Sequence, residues 1–526
     1  MVSTISEATF YDSTWGSTSC DLDVREVLCE TCSGLKQIVS EIPPSASSFN
    51  LSEKRRTLRT KVNYRHDPLH RLPFEIVSQI FISYLDESES SDKIFSHESV
   101  DPSTRNSPLL LASVCHTWRA AAFSTPQLWA RIHVYLSGFS TIPARTNIAK
   151  QWLCRTGQLP LDISLTFADT YPSNAVAPLL DLLREHAPRW RQLTLRIAAT
   201  HCSTLVDGLA VLPLLTAIRV HPPAASIWAA QEPLAVGHTP VLRHIAVANL
   251  ALARVLIAYA RLTSLEAADV FLADIARVLR DAPHLVCCRF ARISGSIGVD
   301  GHPATLLVHS ALRELSLQPD GEVAAPLGNF LALFVLPCLA RLECDLTGSR
   351  DSLPVDGLCV LLTRPHCALT HFTVRVTEPD TRMTDEDLMR VLQATPTLTH
   401  LVIFTRCAKP VLSDALLARL ATSLVGSRED PFLPGLEALE FYGKRTFSWS
   451  GVAQLFHQVA DQDISRKLTF RPITEVHIQL SYCPSDPLEL LPEYVCEQFR
   501  YATNAGASVD VIDSDGQDMV VACELR

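Results

Sequence analysis

Hydrophobic positions along the chain follow two periods. Beyond residue 160 a short unit recurs, built as a proline or small residue followed by Leu-x-x-Leu-x-Leu or a close variant. Eleven copies are legible: PRWRQLTL (188–195), LLTAIRV (214–220), PVLRHIAV (240–247), RLTSLEA (261–267), PHLVCCRF (283–290), SALRELSL (310–317), PCLARLEC (337–344), CALTHFTV (367–374), PTLTHLVI (396–403), PGLEALEF (434–441) and PITEVHI (472–478). In SALRELSL the residues Leu315 and Leu317 are two apart, so they share one face of a strand, and the residues between them face the other way. Between copies the spacing changes to three and four. The segments 274–281, 385–394 and 414–424 each begin with an acidic or capping residue and read as helices. A strand of fixed format repeating every ~20 to 38 residues predicts an α/β chain, in which parallel strands stack into a curved sheet with helices outside it. The last segment, ASVDVIDSDGQDMVVACELR (507–526), reads as strand, Asp-Gly turn, strand, closing the array as a cap.

The text before the repeats has a different pattern. PLHRLPFEIVSQIFISYL (68–85) predicts a helix with Pro73 in its first turn, where a missing N–H costs nothing. Ile76, Val77, Ile80, Phe81, Tyr84 and Leu85 form an apolar stripe too wide for one buried face. DESESSDKIFSHESVDPSTRN (86–106) is acidic, serine-rich and aperiodic, and reads as an inserted loop. Leu110, Leu111, Val114, Cys115, Trp118 and Ala122 then predict a second helix. Ser124-Thr125-Pro126 breaks it, and Gln127-Leu128-Trp129 opens a third short turn. Residues 1–50 read as a disordered tail with one weakly amphipathic patch, and 51–67 as a basic linker.

Composition narrows the function classes. The chain has 526 residues, of which 47% are hydrophobic, enough for an extended core. A net charge of −10 argues against nucleic acid and against anionic membrane surfaces, both of which require basic patches. The first residues show no basic and apolar signal pattern, and no apolar run approaches a membrane-spanning length; a cytoplasmic or nuclear protein is expected. Its 16 cysteines then read as small buried hydrophobes rather than disulfides.

Chemistry-bearing motifs are weak. Cys29-x-x-Cys32, with Cys20 nearby, lacks a second ligand pair, so no metal is expected. Asp513-Ser514-Asp515-Gly516 lacks the spacing of a calcium loop and reads as a turn. No phosphate loop, dinucleotide fingerprint or nucleophile elbow is present, so neither an enzyme nor a cofactor is expected. His371 and His400 hold matching positions in successive repeats; they read as surface histidines first and as ligand contacts second.

Leu-Pro-x-Glu-Ile-x-x-x-Ile-Phe, Val-Cys-x-x-Trp-Arg and Leu-Trp, in this order, resemble the F-box. The matching residues are Leu72, Pro73, Glu75, Ile76, Ile80, Phe81, Leu85, Val114, Cys115, Trp118, Arg119, Leu128 and Trp129, within residues 68–134. The loop between the first two helices is longer than usual in that family, and Ser124-Thr125 stands before Pro126 where an acidic residue is common. The region 150–526 resembles an irregular leucine-rich-repeat solenoid, and the combination is similar to F-box proteins of mushroom-forming fungi. The resemblance implies a non-catalytic adaptor of a cullin-RING (SCF-type) ubiquitin ligase. Its F-box would bind a Skp-family linker through Leu72, Pro73, Ile76, Ile80, Phe81, Leu85, Val114, Cys115, Trp118, Leu128 and Trp129. Its solenoid would hold a protein substrate at residues the sequence does not identify. The alternative is a leucine-rich-repeat scaffold in which the helical region only caps the repeats.

Overall fold

The computed structural model describes residues 57, 69, 72–86, 107–223, 233–294, 306–321, 323–349, 352–378, 381–406, 411–422, 432–456, 473–481 and 491–524. The tail, nearly all of the basic linker and almost all of the acidic insert lie outside these residues, as do Cys20, Cys29 and Cys32. Two compact units are distinguished: one of residues 1–132 and 148–159, the other of 133–147 and 160–526. Residues 150–159, grouped with the repeats by sequence order, cluster with the first unit. There Trp152 stands edge-on to Trp129, with ring centroids 5.3 Å apart.

The first unit is helical. Helix α1 (Phe74–Asp86) starts just after Pro73, whose carbonyl accepts from the N–H groups of Ile76 and Val77. The single second helix expected from the sequence is two: α2 (Pro108–Val114) and α3 (His116–Phe123). Cys115 between them is extended, at φ −154° and ψ 175°, and its sulfur accepts from the Trp118 N–H as the cap of α3. A capping side chain satisfies an otherwise orphaned helix N–H, here that of Trp118. The Arg119 Nε donates to the Ala112 carbonyl at 2.8 Å and ties α3 back onto α2. A 3-10 turn (Pro126–Trp129) follows. The core between these elements comprises Val77, Phe81, Leu85, Leu111, Ala112, Ala121, Ala122, Leu128 and Trp129. Trp129 is fully buried, and its indole N–H donates to the Ala122 carbonyl at 2.8 Å.

The second unit is α/β, organised around one fourteen-stranded sheet. Its strands are β1 (Arg131–Leu136), β2 (Leu161–Phe167), β3 (Trp190–Arg196), β4 (Ala217–Val220), β5 (His244–Val247), β6 (Ser264–Ala268) and β7 (Cys287–Ile293). They continue as β8 (Glu314–Pro319), β9 (Arg341–Asp345), β10 (His371–Val376), β11 (His400–Thr405), β12 (Ala438–Gly443), β13 (Glu475–Leu480) and β14 (Ser508–Ile512). Each strand lies beside its predecessor, and the pairs from β2 to β14 are parallel. All eleven repeat copies are strands, β3 to β13 in order.

Alternation produces the layering. In β8, Leu315 and Leu317 are buried while Glu314 and Ser316 are partly exposed, and in β10 and β11 buried residues alternate with partly exposed ones throughout. A threonine before the strand adds a lateral tie. The hydroxyls of Thr216, Thr263, Thr370 and Thr399 donate to the carbonyls of Arg191, Arg243, Ala340 and Thr370 in the preceding repeat. The helical segments read from sequence are helices at Leu272–Asp281, Asp385–Gln393 and Asp414–Thr422. Thr384 and Asp387 close the second of these reciprocally as a capping box. Elsewhere short parallel pairs appear, Leu234–Ala235 with Val255–Leu256 and Leu307–Val308 with Phe334–Val335.

Two further expectations are corrected. The segment after β14 turns at Asp513, whose carboxylate accepts from the Asp515 and Gln517 N–H groups, and then forms a helix (Met519–Glu524), not a strand. Asp518 at the entrance to that helix accepts from the Val520 and Val521 N–H groups, which favours helix over strand there. Nine of the described cysteines carry free thiols, but of these only Cys202, Cys288 and Cys344 are buried while Cys154 and Cys338 are exposed, and Cys496 is disulfide-bonded.

Candidate partner-binding site

Helix α1 is apolar on two sides. Val77, Phe81 and Leu85, spaced by four, face the core. Ile76, Ile80 and Tyr84, each one residue earlier, form a second stripe that stays exposed, at 49%, 40% and 43%. A helix with neighbouring buried and exposed apolar stripes is wider in its hydrophobicity than its own unit can cover. At the N-terminal end of α1, Leu72 and Phe74 are also exposed.

These two residues open onto a groove of about 260 Å³ whose other walls are Leu69, Val77, Thr117, Trp118, Ala120, Ala121 and Ser124. Trp118 sets its floor. The indole packs on Phe81 at 5.1 Å between centroids, so one part belongs to the core while another lines the groove. The small side chains Ala120, Ala121 and Ser124 leave the space open. Behind it, the Ser78 and Thr125 hydroxyls meet at 2.9 Å and Thr125 donates to the Ala121 carbonyl, which fixes the angle of α1 on α3.

The eleven residues singled out for partner binding separate into three groups. Leu72 and Trp118 line the groove. Pro73, Ile76, Ile80 and Val114 are exposed and Cys115 is partly so, and none of these five lines the groove. Phe81, Leu85, Leu128 and Trp129 are enclosed in the unit's own core, with exposures of 1%, 8%, 3% and 0%. Direct contact with a partner is closed to these four in this arrangement, because α1, α3 and the 3-10 turn pack over them. Phe74, Tyr84, Leu109, Leu110 and Phe123 are exposed apolar residues that sequence reasoning did not assign to the surface. Phe74 was detectable as the middle of an apolar run at 72, 74 and 76.

On the second unit, the polar face of the sheet brings distant residues into rows. His371 and His400 stack at 4.2 Å, and Phe404 and Tyr442 at 4.4 Å. Arg341 pairs with Glu314 at 3.0 Å and Arg375 with Glu343 at 2.6 Å. Among the described residues no group of three or more His, Cys, Asp or Glu side chains has the geometry to hold a metal, and no helix is long and apolar enough to cross a membrane. The buried thiols of Cys288 and Cys344 are held well above their ordinary pKa by burial, which makes them poor nucleophiles. No protein-family model matches the chain, and no curated protein matches it in sequence.

Proposed function

We propose that this chain is a non-catalytic adaptor of a cullin-RING (SCF-type) ubiquitin ligase. In this reading residues 68–134 are an F-box that binds a Skp-family linker, and the repeats form a leucine-rich-repeat-like solenoid that holds a protein substrate. The observation that carries the reading is the second apolar stripe of α1, Ile76, Ile80 and Tyr84, continuing into Leu72 and Phe74 at a groove floored by Trp118. An exposed helical face with a groove beside it is the form in which helical partners dock. The motif order of the F-box resemblance falls on these same elements, and the neighbour-by-neighbour order of the parallel strands supports the solenoid. The mechanism is proximity: an adaptor raises the effective concentration of its captured protein near the charged ligase and forms no covalent intermediate.

The test is calorimetric titration of the purified chain with a Skp-family linker. Binding by the wild type and its loss in Leu72→Ala/Pro73→Ala, with the circular dichroism spectrum unchanged, is the expected result. A folded wild type that does not bind removes the adaptor reading and leaves the scaffold.

A further inference from the structure

The exposed stripe of α1 and the groove at its start form an apolar surface, and no charged side chain lines the groove. From Phe74 to Tyr84 the exposed apolar side chains run about 15 Å along the helix. A surface of this shape takes the apolar face of another helix.

The chain contains a face that matches it. In DLDVREVLCETCSGLKQIVSEI (21–42), Val24, Val27, Leu28, Leu35 and Ile38 fall within an arc of about 100° at helical period. Arg25, Glu26, Glu30 and Lys36 fall on the other side. From Val24 to Ile38 such a face is about 21 Å long, enough to cover the stripe. This patch lies outside the described residues. Gly34 lowers its intrinsic helix propensity, so a surface to fold against decides whether the helix forms. The other stretches outside the described residues near α1 fit worse. Residues 51–67 are dominated by basic side chains and 86–106 by acids and serines, and neither carries an apolar face of this length.

The connection also permits the contact. Residues 43–68 join the patch to α1 and span at most about 85 Å, several times the length of the stripe. A tether of this kind holds its end at an effective concentration of about millimolar order. A contact too weak to persist between separate molecules therefore persists within one chain, because closing the loop costs little more for a long tether than for a short one.

We propose that residues 21–42 dock as an amphipathic helix on the exposed stripe of α1 and its groove, and so compete with the linker for the same surface. The competition rests on the adaptor reading; the docking does not. A segment docked about nine-tenths of the time lowers the linker's apparent affinity about tenfold.

Photocrosslinking of the full chain, with no linker present, tests the docking. Photoreactive p-benzoylphenylalanine replaces Phe74, which is exposed at the groove, and the crosslinked peptide is identified by mass spectrometry. The expected product joins position 74 to residues 21–42 at monomer mass and is lost in Leu28→Asp/Leu35→Asp. Products confined to 51–67, to 86–106 or to a second copy would overturn the proposal. So would an equal yield of the 21–42 product from the photoreactive residue placed at Phe139, which is exposed on the second unit. Calorimetry with a Skp-family linker reads the competition: Leu28→Asp/Leu35→Asp is expected to bind about tenfold more tightly than wild type, and equal affinities overturn the competition. Crosslinking to 21–42 without linker binding by either protein keeps the docking and removes the adaptor; linker binding without that crosslink does the reverse.

Discussion

The imidazole of His371 lies flat on that of His400, with centroids 4.2 Å apart and planes 9° from parallel. The two residues are in direct register on neighbouring parallel strands. Each Nδ1 sits beside the hydroxyl of the preceding threonine, Thr370 at 2.9 Å and Thr399 at 2.8 Å. Each hydroxyl also reaches a carbonyl of the preceding repeat, Thr370 that of Ala340 and Thr399 that of Thr370.

This stack has a consequence for titration. Burial, then the charge on His400, then Arg341 hold His371 below the ordinary histidine pKa. Replacing His400 with glutamine removes the second of these and is expected to raise the His371 midpoint toward its ordinary value. Proton NMR of the imidazole C–H resonances against pH reads this directly; an unchanged midpoint would show that the neighbouring ring carries no weight.

His221 makes stability depend on pH. Burial, reinforced by Arg196 and Arg219, lowers its pKa to about 4 in the folded state. The unfolded chain then takes up the proton first, so stability falls as pH drops from about 6.5 and the loss is complete near the folded value. The full effect is roughly 3 kcal/mol, with about 2 kcal/mol lost by pH 5. Urea unfolding of wild type and His221→Gln at pH 7.5 and pH 5 is expected to show a flatter dependence in the variant.

Adjacent residues of α1 are expected to give opposite phenotypes. Phe81→Ala empties the core against Trp118 and Trp129 and costs about 3–5 kcal/mol of the first unit's stability. Ile80→Ala removes an exposed side chain, costs roughly 0.5 kcal/mol or less, and weakens linker binding. Thermal unfolding and calorimetry separate the two; a binding loss in Ile80→Ala matched by an equal loss of stability would assign Ile80 to the core.

Two facing glycines are expected to differ sharply. A Cβ on Gly357 would lie 2.0 Å from the Gly328 carbonyl oxygen, where the helix Ala324–Leu331 meets the helix Val355–Leu362. A Cβ on Gly328 meets nothing closer than 3.6 Å. Gly357→Ala must therefore push backbones apart, at a cost of about 2 kcal/mol or more, while Gly328→Ala is tolerated or slightly stabilising through helix propensity. Differential scanning calorimetry of both variants decides it.

Much of the architecture was legible because its signals are local. A Leu-x-Leu pair needs only period-two geometry to show which side is buried, and every copy from PRWRQLTL to PITEVHI is a strand in the expected order. The acidic start of the segment 385–394 marked a helix, and the Thr384–Asp387 capping box that closes it reaches only three residues. The failures are equally physical. Cys115 fitted a continuous helix by spacing, and its extended backbone reflects how α3 turns back on α2 through Arg119. β1 and β2 lack the repeat format and passed unnoticed, although they alternate buried and exposed residues as the others do.

The sequence by itself determined the eleven repeated strands and their order, the helices within 274–281, 385–394 and 414–424, and that α1 carries more apolar surface than one face can bury. Tertiary structure alone decided which stripe is covered. Val77 and Ile76 are adjacent and equally apolar, and only the placement of α3 and the Pro126–Trp129 turn encloses one and leaves the other at the surface. The same holds across the sheet. His371 and His400, or Phe404 and Tyr442, meet because register places residues 29 and 38 positions apart side by side, at distances that composition and period do not encode.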